Sequence, residues 1–502
     1  MTDAATASTP PPAPAVRRGA TLALALLLTI NLFNYIDRQI LSAVLPKIEQ
    51  ELLPGDPSAG FWGGLLTSAF LISYMLLAPV FGIYGDRMSR WWLIGIGVIL
   101  WSLASGLSGL SGAAGLYLLM LTSRCLVGVG EAAYGPVAPS ILADLYSVRV
   151  RGMVMAWFYA AIPVGSALGF VLGGAFAESN WRMAFYIVVI PGVLLGLLCF
   201  LMPDPPRGHA PNAAGHGPVD LKQLRKLITI PSYVYCTLGM TALTFLLGGI
   251  AAWMPSYVYE REATFGFTPA AFVSAEKIED VPKYPLADVL AKLKVDAKPD
   301  EVLRYDEFMR RLKTRLSAEE LALYLGKLSP AFQTPSTAEL GSINTNFGLI
   351  VVLSGLGATL LGGYVGDRLR TKYAGSYFLV SGFAMLLSFP AFLAVLVTPF
   401  PYAWIFIFIA VFFMFSNTGP MNTVLANVVP GHLRASGFAI HILIIHALGD
   451  AVSPVLIGYM RDQRDLSFAF LVIAALIPVA AVFWLLGARH LQPDTERAEA
   501  VA

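Results

Sequence analysis

Charge is what this chain has least of. Of its 502 residues only 13% are Asp, Glu, Lys or Arg, and 34 basic against 32 acidic side chains leave a net charge of +2 at pH 7. With no dense basic tract either, nucleic acid is excluded as a partner. Cysteine is scarce too. Cys125, Cys199 and Cys236 each lie inside an apolar segment without ligand spacing, so they read as small packing residues and not as a disulfide framework or a metal site. No pattern for nucleotide phosphate, metal or nucleophilic catalysis stands out, and Gly128-x-Gly130 lacks the strand–turn–helix context of a dinucleotide fold. An enzyme is therefore not expected, nor a cofactor. What abounds is apolar: 56% of residues are hydrophobic, mean hydropathy is +0.67, and runs of about 20 apolar residues, enough to cross a bilayer, recur from end to end.

Breaks at Gly, Pro and charge clusters divide the chain into twelve spans, near 20–45, 60–83, 91–110, 115–144, 152–177, 182–202, 231–258, 343–365, 374–397, 402–428, 435–460 and 467–487. The fold class is all-α, a membrane protein of two six-helix halves. Lys and Arg concentrate in alternate loops, which places both termini in the cytoplasm and the protein in the cell (inner) membrane. The expected organisation is a cytoplasmic tail at 1–19, a first half at 20–202, a cytoplasmic Pro/Gly-rich linker at 203–230, a second half at 231–487 and a cytoplasmic tail at 488–502. The halves are repeats: Gly82-Ile-Tyr-Gly-Asp86-Arg87 returns as Gly363-Tyr-Val-Gly-Asp367-Arg368, 281 residues on. Duplicated six-helix halves with a site near the midplane between them are a transporter architecture. The segment 261–342 breaks the symmetry. It holds over a third of all charged residues and reads as an extracytoplasmic helical insertion, with a helix from Asp300 and a capping box at Ser317-Ala-Glu-Glu320.

A few ionisable residues sit where oil should be. Asp37 and Arg38 interrupt the apolar run from Thr21 to Val44, and such groups face a bundle interior or a water-filled path. Arg124, Gly128 and Glu131 are spaced four and three apart and share one face of the fourth helix, making them the natural partners. The four charges form either a permanent brace between helices one and four or a set whose pairs exchange as carboxylates take up protons. Gly82, Asp86, Arg87 and Arg90, with Asp367 and Arg368 in the repeat, are candidates for a gate that latches helix ends. In the eleventh helix His446 and Asp450 are one turn apart, a pair suited to a polar head group or a proton. Asn417 lies in a bent polar tenth helix. Phe33, Tyr134, Phe158, Tyr159 and Trp253 are candidate apolar walls of a pocket between the halves, with Asn417, His446 and Asp450 at its polar side.

The Gly-Asp-Arg repeats and the Arg-x-x-x-Gly stretch of helix four resemble the signature motifs of the major facilitator superfamily. Asn34-Tyr-Ile-Asp37-Arg38, Gly128-Val-Gly-Glu131-Ala-Ala-Tyr134, Ala161-Ile-Pro-Val-Gly-Ser-Ala-Leu-Gly-Phe170 and His446-Ala-Leu-Gly-Asp450-Ala-Val-Ser-Pro454 together resemble the Spinster family. The large insertion departs from that family, as does Ala133, where eukaryotic members carry Ser. The resemblance implies a proton-coupled transporter working by alternating access on a lysophospholipid- or sphingolipid-like amphiphile. Its partners would be that substrate, protons and the lipid bilayer, and the protein would act as a monomer. The rival within the superfamily is a proton-coupled organic-anion or sugar-acid symporter, whose motif after Glu131 would continue differently. An intramembrane enzyme using His446 and Asp450 lacks a converging nucleophile or metal ligand, and a sensor reading of the insertion is disfavoured by the intact gating motifs.

The topology is directly testable. A cysteine at position 300 should react with an impermeant maleimide added outside intact cells, and labelling only from the cytoplasm would reverse the orientation.

Overall fold

In a bilayer the backbone must satisfy its own hydrogen bonds, which leaves helices as the economical way for apolar runs of this length to cross. The computed structural model describes residues 19–146, 148–205, 225–262, 264–267, 301–304, 314, 317, 339–430 and 434–500. Among the described residues, twelve helices are long and apolar enough to span: α1 (Ala20–Leu52), α2 (Ala59–Gly85), α3 (Arg90–Gly112), α4 (Tyr117–Leu142), α5 (Trp157–Ala177), α6 (Arg182–Cys199), α7 (Pro231–Arg261), α8 (Leu340–Arg370), α9 (Ser376–Val397), α10 (Ala403–Val428), α11 (Gly437–Gln463) and α12 (Leu466–Gly487). They coincide with the spans expected from the sequence and form two six-helix halves, α1–α6 and α7–α12.

Four spans are not continuous α-helix, α12 being interrupted only at Ala475. α4 stops at Ala132 and resumes at Val137, across Gly135 and Pro136. α10 breaks between Phe415 and Thr418, and the 281-residue repeat offset carries Gly135 onto Ser416. α11 contains a π turn at His446–Asp450. π turns are uncommon and gather at functional sites, and broken spans are tolerated where they line a cavity.

Small residues set how closely these helices approach. On α5 a Cβ built at Gly165 would lie 2.7 Å from the Leu32 carbonyl oxygen and one at Gly169 2.5 Å from that of Ile36. Glycines four apart thus clear a groove for the part of α1 that carries Asp37 and Arg38, an arrangement that lets dispersion hold helices together where lipid supplies no hydrophobic drive.

The halves meet along α5 with α8, α2 with α11 and α1 with α7. Phe170 packs edge-on against Phe347 with centroids 4.9 Å apart, and Asn344 Nδ2 donates to the Ala43 carbonyl at 3.0 Å. Glu178 Oε1 accepts from the Leu340 amide, and Asp462 caps the start of α2 through the amides of Gly60 and Phe61. These contacts lie from the middle of the bundle toward the end carrying Glu49. At the other end, which carries Arg87, Arg90 and Arg368, no hydrogen bond or ion pair crosses between the Gly-Asp-Arg turns among the described residues. The hydrogen bonds of Glu178 and Asp462 close the bundle at the Glu49 end.

One expectation needs correction. Within 261–342 the described backbone contains strands β1 (Thr264–Phe267) and β2 (Glu301–Arg304), paired antiparallel with Thr264 opposite Arg304. The helix expected from Asp300 therefore does not begin there: Thr264-Phe265 and Val302-Leu303 favour a pleated pair over a helical turn. Apart from Thr314, Ser317 and Glu339, the rest of the insertion from 305 lies outside the described residues up to α8, as do 268–300 and most of the 203–230 linker. The segment expected as the tail at 488–502 contains a helix, α13 (Leu491–Ala500). Its Leu491, Asp494 and Ala498 are buried, and Asp494 accepts from the Ser232 amide at 2.9 Å, satisfying a free N–H at the start of α7.

The closed end depends on close backbone approach, so overpacking there should be costly. Gly458→Val places a side chain against the Gly60 carbonyl and is expected to lower stability by about 1–3 kcal/mol, read as a lower midpoint of thermal unfolding in detergent.

Candidate functional site

Neighbours on a helix point about 100° apart, so Asp37 and Arg38 leave α1 in different directions. Each meets an opposite charge on α4. Arg38 donates through Nε and Nη2 to Glu131 Oε2 at 2.8 and 2.6 Å. Asp37 accepts from Ser105 Oγ of α3 and lies 3.5 Å from Arg124 Nη1. The sequence reading expected these four to be brought together, and they are. Arg124 and Glu131 are seven residues apart, roughly 10 Å along α4, so the pairs form two separate rungs.

The rungs differ in their access to water. Asp37, Arg124 and Glu131 are buried, whereas the Arg38 side chain keeps 22% of its surface exposed. The Arg38 guanidinium sits 4.8 Å from the centre of the Phe70 ring, 4.9 Å from Tyr35 and 5.6 Å from Tyr74. An aromatic box of this kind holds a cation in place when its carboxylate lets go. Phe70 also faces Arg124 at 5.7 Å and so touches both rungs. Asn34 Nδ2, Glu131 Oε1 and Asp37 Oδ2 are buried without a hydrogen bond among the described residues. Orphaned polar atoms beside an ion pair leave room for a proton or a new partner.

On the second half, His446 Nδ1 lies 2.9 Å from both carboxylate oxygens of Asp450, the two residues bounding the π turn. Both stay partly exposed, while His441 is buried against Thr237 Oγ1 at 2.9 Å. The π turn packs against α2, and Ala451, next along, belongs to the buried cluster that contains Phe70, Val127 and Tyr134. The π turn is thus in packing contact with the side of the first half that holds the ion pairs.

The predicted pocket walls separate into two groups. Tyr159 is exposed, and Phe33 is partly buried on α1. Tyr134 and Phe158 are buried: Tyr134 donates to the Leu27 carbonyl at 2.8 Å and packs edge-on against Trp101, and Phe158 lies between Tyr134 and Tyr159. Trp253 is also fully buried, donating to the Pro454 carbonyl at 2.9 Å beneath Arg461, at the closed end and away from His446. A large ring that finds a hydrogen-bond partner in a helix interface is worth more there than on a wall. Asn417 is buried and donates to the Met414 carbonyl, satisfying the break in α10.

Of the gate candidates, Arg90 is buried. It bonds Asp144 at 2.6 Å, Asp204 at 3.0 Å and the Pro205 carbonyl at 2.8 Å, tying the starts of α3 and of the linker to the end of α4. Arg87 is exposed next to it, Gly82 packs near Pro136, and the side chain of Asp86 lies outside the described residues. In the repeat, Asp367 accepts from Tyr377 Oη at 2.8 Å and Arg368 is exposed beside Tyr364. Sequence reasoning missed Tyr35, Phe70, Tyr74 and Ser105. The serines at 102, 105, 108 and 111, one helical face of α3, were a readable sign of a polar seam.

The profile of the Major Facilitator Superfamily matches residues 27–275. Protein spinster homolog 1 of Homo sapiens is 31% identical over 503 residues, covering 96% of this chain and 83% of the relative. Protein spinster homolog 3 of Danio rerio is 28% identical, covering 98% and 89%. Among solved structures, a bacterial homolog to the human lysosomal transporter Spinster, in an inward-facing and occupied conformation, superposes with a TM-score of 0.67 at 19% identity, covering 95% of this chain and 98% of that one. A D-xylose–proton symporter superposes with a TM-score of 0.60 at 15% identity, covering 92% and 96%. At these identities the two structures show the shared fold alone.

The rungs generate an ordered expectation. Arg124→Ala strands the buried Asp37 carboxylate and should cost about 3–5 kcal/mol, whereas Asp37→Asn keeps a partner for Ser105 and should cost less. Thermal unfolding of the two variants side by side checks the order.

Proposed function

This chain belongs to the Spinster family of the major facilitator superfamily, and on that premise we propose that it couples proton movement to the transport of an amphiphile by rocking its two halves. The observation that carries the reading is the pair of buried rungs, Arg38–Glu131 and Arg124–Asp37, with Arg38 reaching toward water and Phe70 touching both. A proton arriving on Glu131 removes the charge that Arg38 neutralises, and the guanidinium stays in its aromatic box while it changes partner. Because the His446–Asp450 turn packs against α2, which carries Phe70, that change bears on the opposite half. If the carboxylates bind protons differently in the two conformations, protonation shifts the balance between them by about 1.4 kcal/mol per unit of difference.

For the substrate, the partly exposed His446–Asp450 pair offers a charged and hydrogen-bonding end, and Tyr159 with Phe33 an apolar wall. That pairing fits a lysophospholipid- or sphingolipid-like molecule. We place the basic end and both termini in the cytoplasm of a cell with one copy per working unit, so the closed end faces outward. Arg90 with Asp144 and Asp204, and Asp367 with Tyr377, serve as latches of the inner ends.

Uptake of labelled lysophospholipid, sphingoid base and sugar acid into proteoliposomes, with and without a pH gradient, separates this reading from the organic-anion symporter. The lipid-like substrates are expected to accumulate with the gradient, and Asp37→Asn with Glu131→Gln to abolish the gradient dependence without abolishing binding. His446→Ala should weaken apparent affinity about tenfold. Gradient-independent uptake by the wild type would refute proton coupling, and uptake of the sugar acid alone would refute the substrate class.

A further inference from the structure

The two Gly-Asp-Arg turns at the basic end are copies of one another, yet they dispose of their charge differently. In the first half Arg90 is buried and neutralised from within, by Asp144 at 2.6 Å and Asp204 at 3.0 Å. The 281-residue offset carries Arg90 onto Thr371 and Asp144 onto Leu425. Thr371 is exposed, its hydroxyl donating to the Arg368 carbonyl, and Leu425 is buried. The second copy has therefore lost the internal pair. It keeps two cations on either side of Thr371, Arg370 and Lys372, both exposed.

A third cation joins them from the end of α12. A Cβ built at Gly375 would lie 2.4 Å from the Ala488 carbonyl oxygen, so the turn between α8 and α9 rests on that end backbone to backbone. Arg489 is the next residue and is exposed. None of the three forms an ion pair among the described residues. Arg370 lies 5.9 Å from the centre of the Tyr377 ring, and Arg489 Nε donates to His490 Nε2 at 3.1 Å. The carboxylates of this end are engaged elsewhere. Asp367 accepts from Tyr377 Oη at 2.8 Å, Asp494 is buried on the Ser232 amide, and Glu496 accepts from Gln492. Below Arg489, Leu486 and Val482 stand four apart on α12 and are exposed.

We propose that Arg370, Lys372 and Arg489 seat the phosphodiester head group of an anionic phospholipid from the leaflet at the basic end, with its chains lying along Leu486 and Val482. Cations at the ends of spans stand at the depth of lipid head groups, where a negative leaflet attracts them. Charge complementarity then selects the occupant. Three cations without a carboxylate call for an external anion, and a phosphodiester meets guanidinium groups in a fork and the ammonium as a point charge. A zwitterionic lipid carries its own cation and neutralises them less. A soluble phosphate has no chains to cover the apolar side chains of α12. The inference uses none of the residues assigned above to proton coupling or to the transported substrate, and it stands whether or not that assignment does.

Full-length protein in neutral detergent is titrated with phosphatidylglycerol or phosphatidylcholine, and the first lipid retained is followed by native mass spectrometry. Phosphatidylglycerol should bind about tenfold more tightly or better. Arg370→Gln, Lys372→Gln and Arg489→Gln together should weaken it about a hundredfold, and each alone about fivefold, with the melting temperature kept. Arg370→Lys with Arg489→Lys preserves the charge and should keep most of the affinity. His446→Ala should leave it unchanged, which sets this seat apart from the path between the halves. Equal affinity for the two lipids, or a triple variant that binds as the wild type does, would overturn the proposal. So would glycerol 1-phosphate binding as tightly as the lipid, lysine variants as weak as the glutamine ones, or loss of binding in His446→Ala.

Discussion

A charge placed in oil needs an opposite charge beside it, because the cost of stripping its water is several kcal/mol and no solvent is at hand to refund it. Asp37 and Arg38 stand in the middle of α1, and α4 supplies Arg124 and Glu131 at two levels to meet them. Much of the first half follows from that requirement. α1 and α4 must lie within side-chain reach of one another, α3 must present Ser105 to Asp37, and α2 must bring Phe70, and with it Tyr74, to the guanidinium. Glycines along α4 and α5 make the approach possible, since bulkier residues would hold the backbones apart.

A buried ion pair is a poor source of stability when set against well-packed apolar side chains. Its persistence here makes sense as a requirement of mechanism, where a pair that can be undone by one proton is more useful than a permanent contact. The aromatic box around Arg38 serves that purpose: it stabilises the cation without neutralising it, so that the loss of Glu131 as a partner does not leave the guanidinium unsupported. The same chemistry recurs at the closed end, where Arg461 lies over Trp253 between two carboxylates.

The two halves descend from one pattern but are used differently. Breaks in α4 and α10 fall at equivalent places in the repeat, and both are bridged by residues whose side chains or small size satisfy the interrupted backbone. The charged rungs belong to the first half only, whereas the second carries the π turn with His446 and Asp450. Coupling between unlike halves requires a physical contact, and the packing of the π turn against α2, the helix of Phe70, provides one.

The twelve spans, the duplication and the membership of Asp37, Arg38, Arg124 and Glu131 in one polar group were legible in the chain itself, since length, apolar runs and helical spacing are local properties. His446 and Asp450 as a pair were legible for the same reason, being one turn apart. Which acid meets which base was not, because neighbours on α1 diverge by about 100° and only the crossing of α1 with α4 decides where each one points. Nor could sequence separate Tyr159, left exposed, from Trp253, sunk at the closed end, as both are aromatic residues in apolar helices. Glu49, Glu260 and Arg461 were invisible as a group, being separated by up to 412 residues. Only the packing of one half against the other brings them within hydrogen-bonding distance.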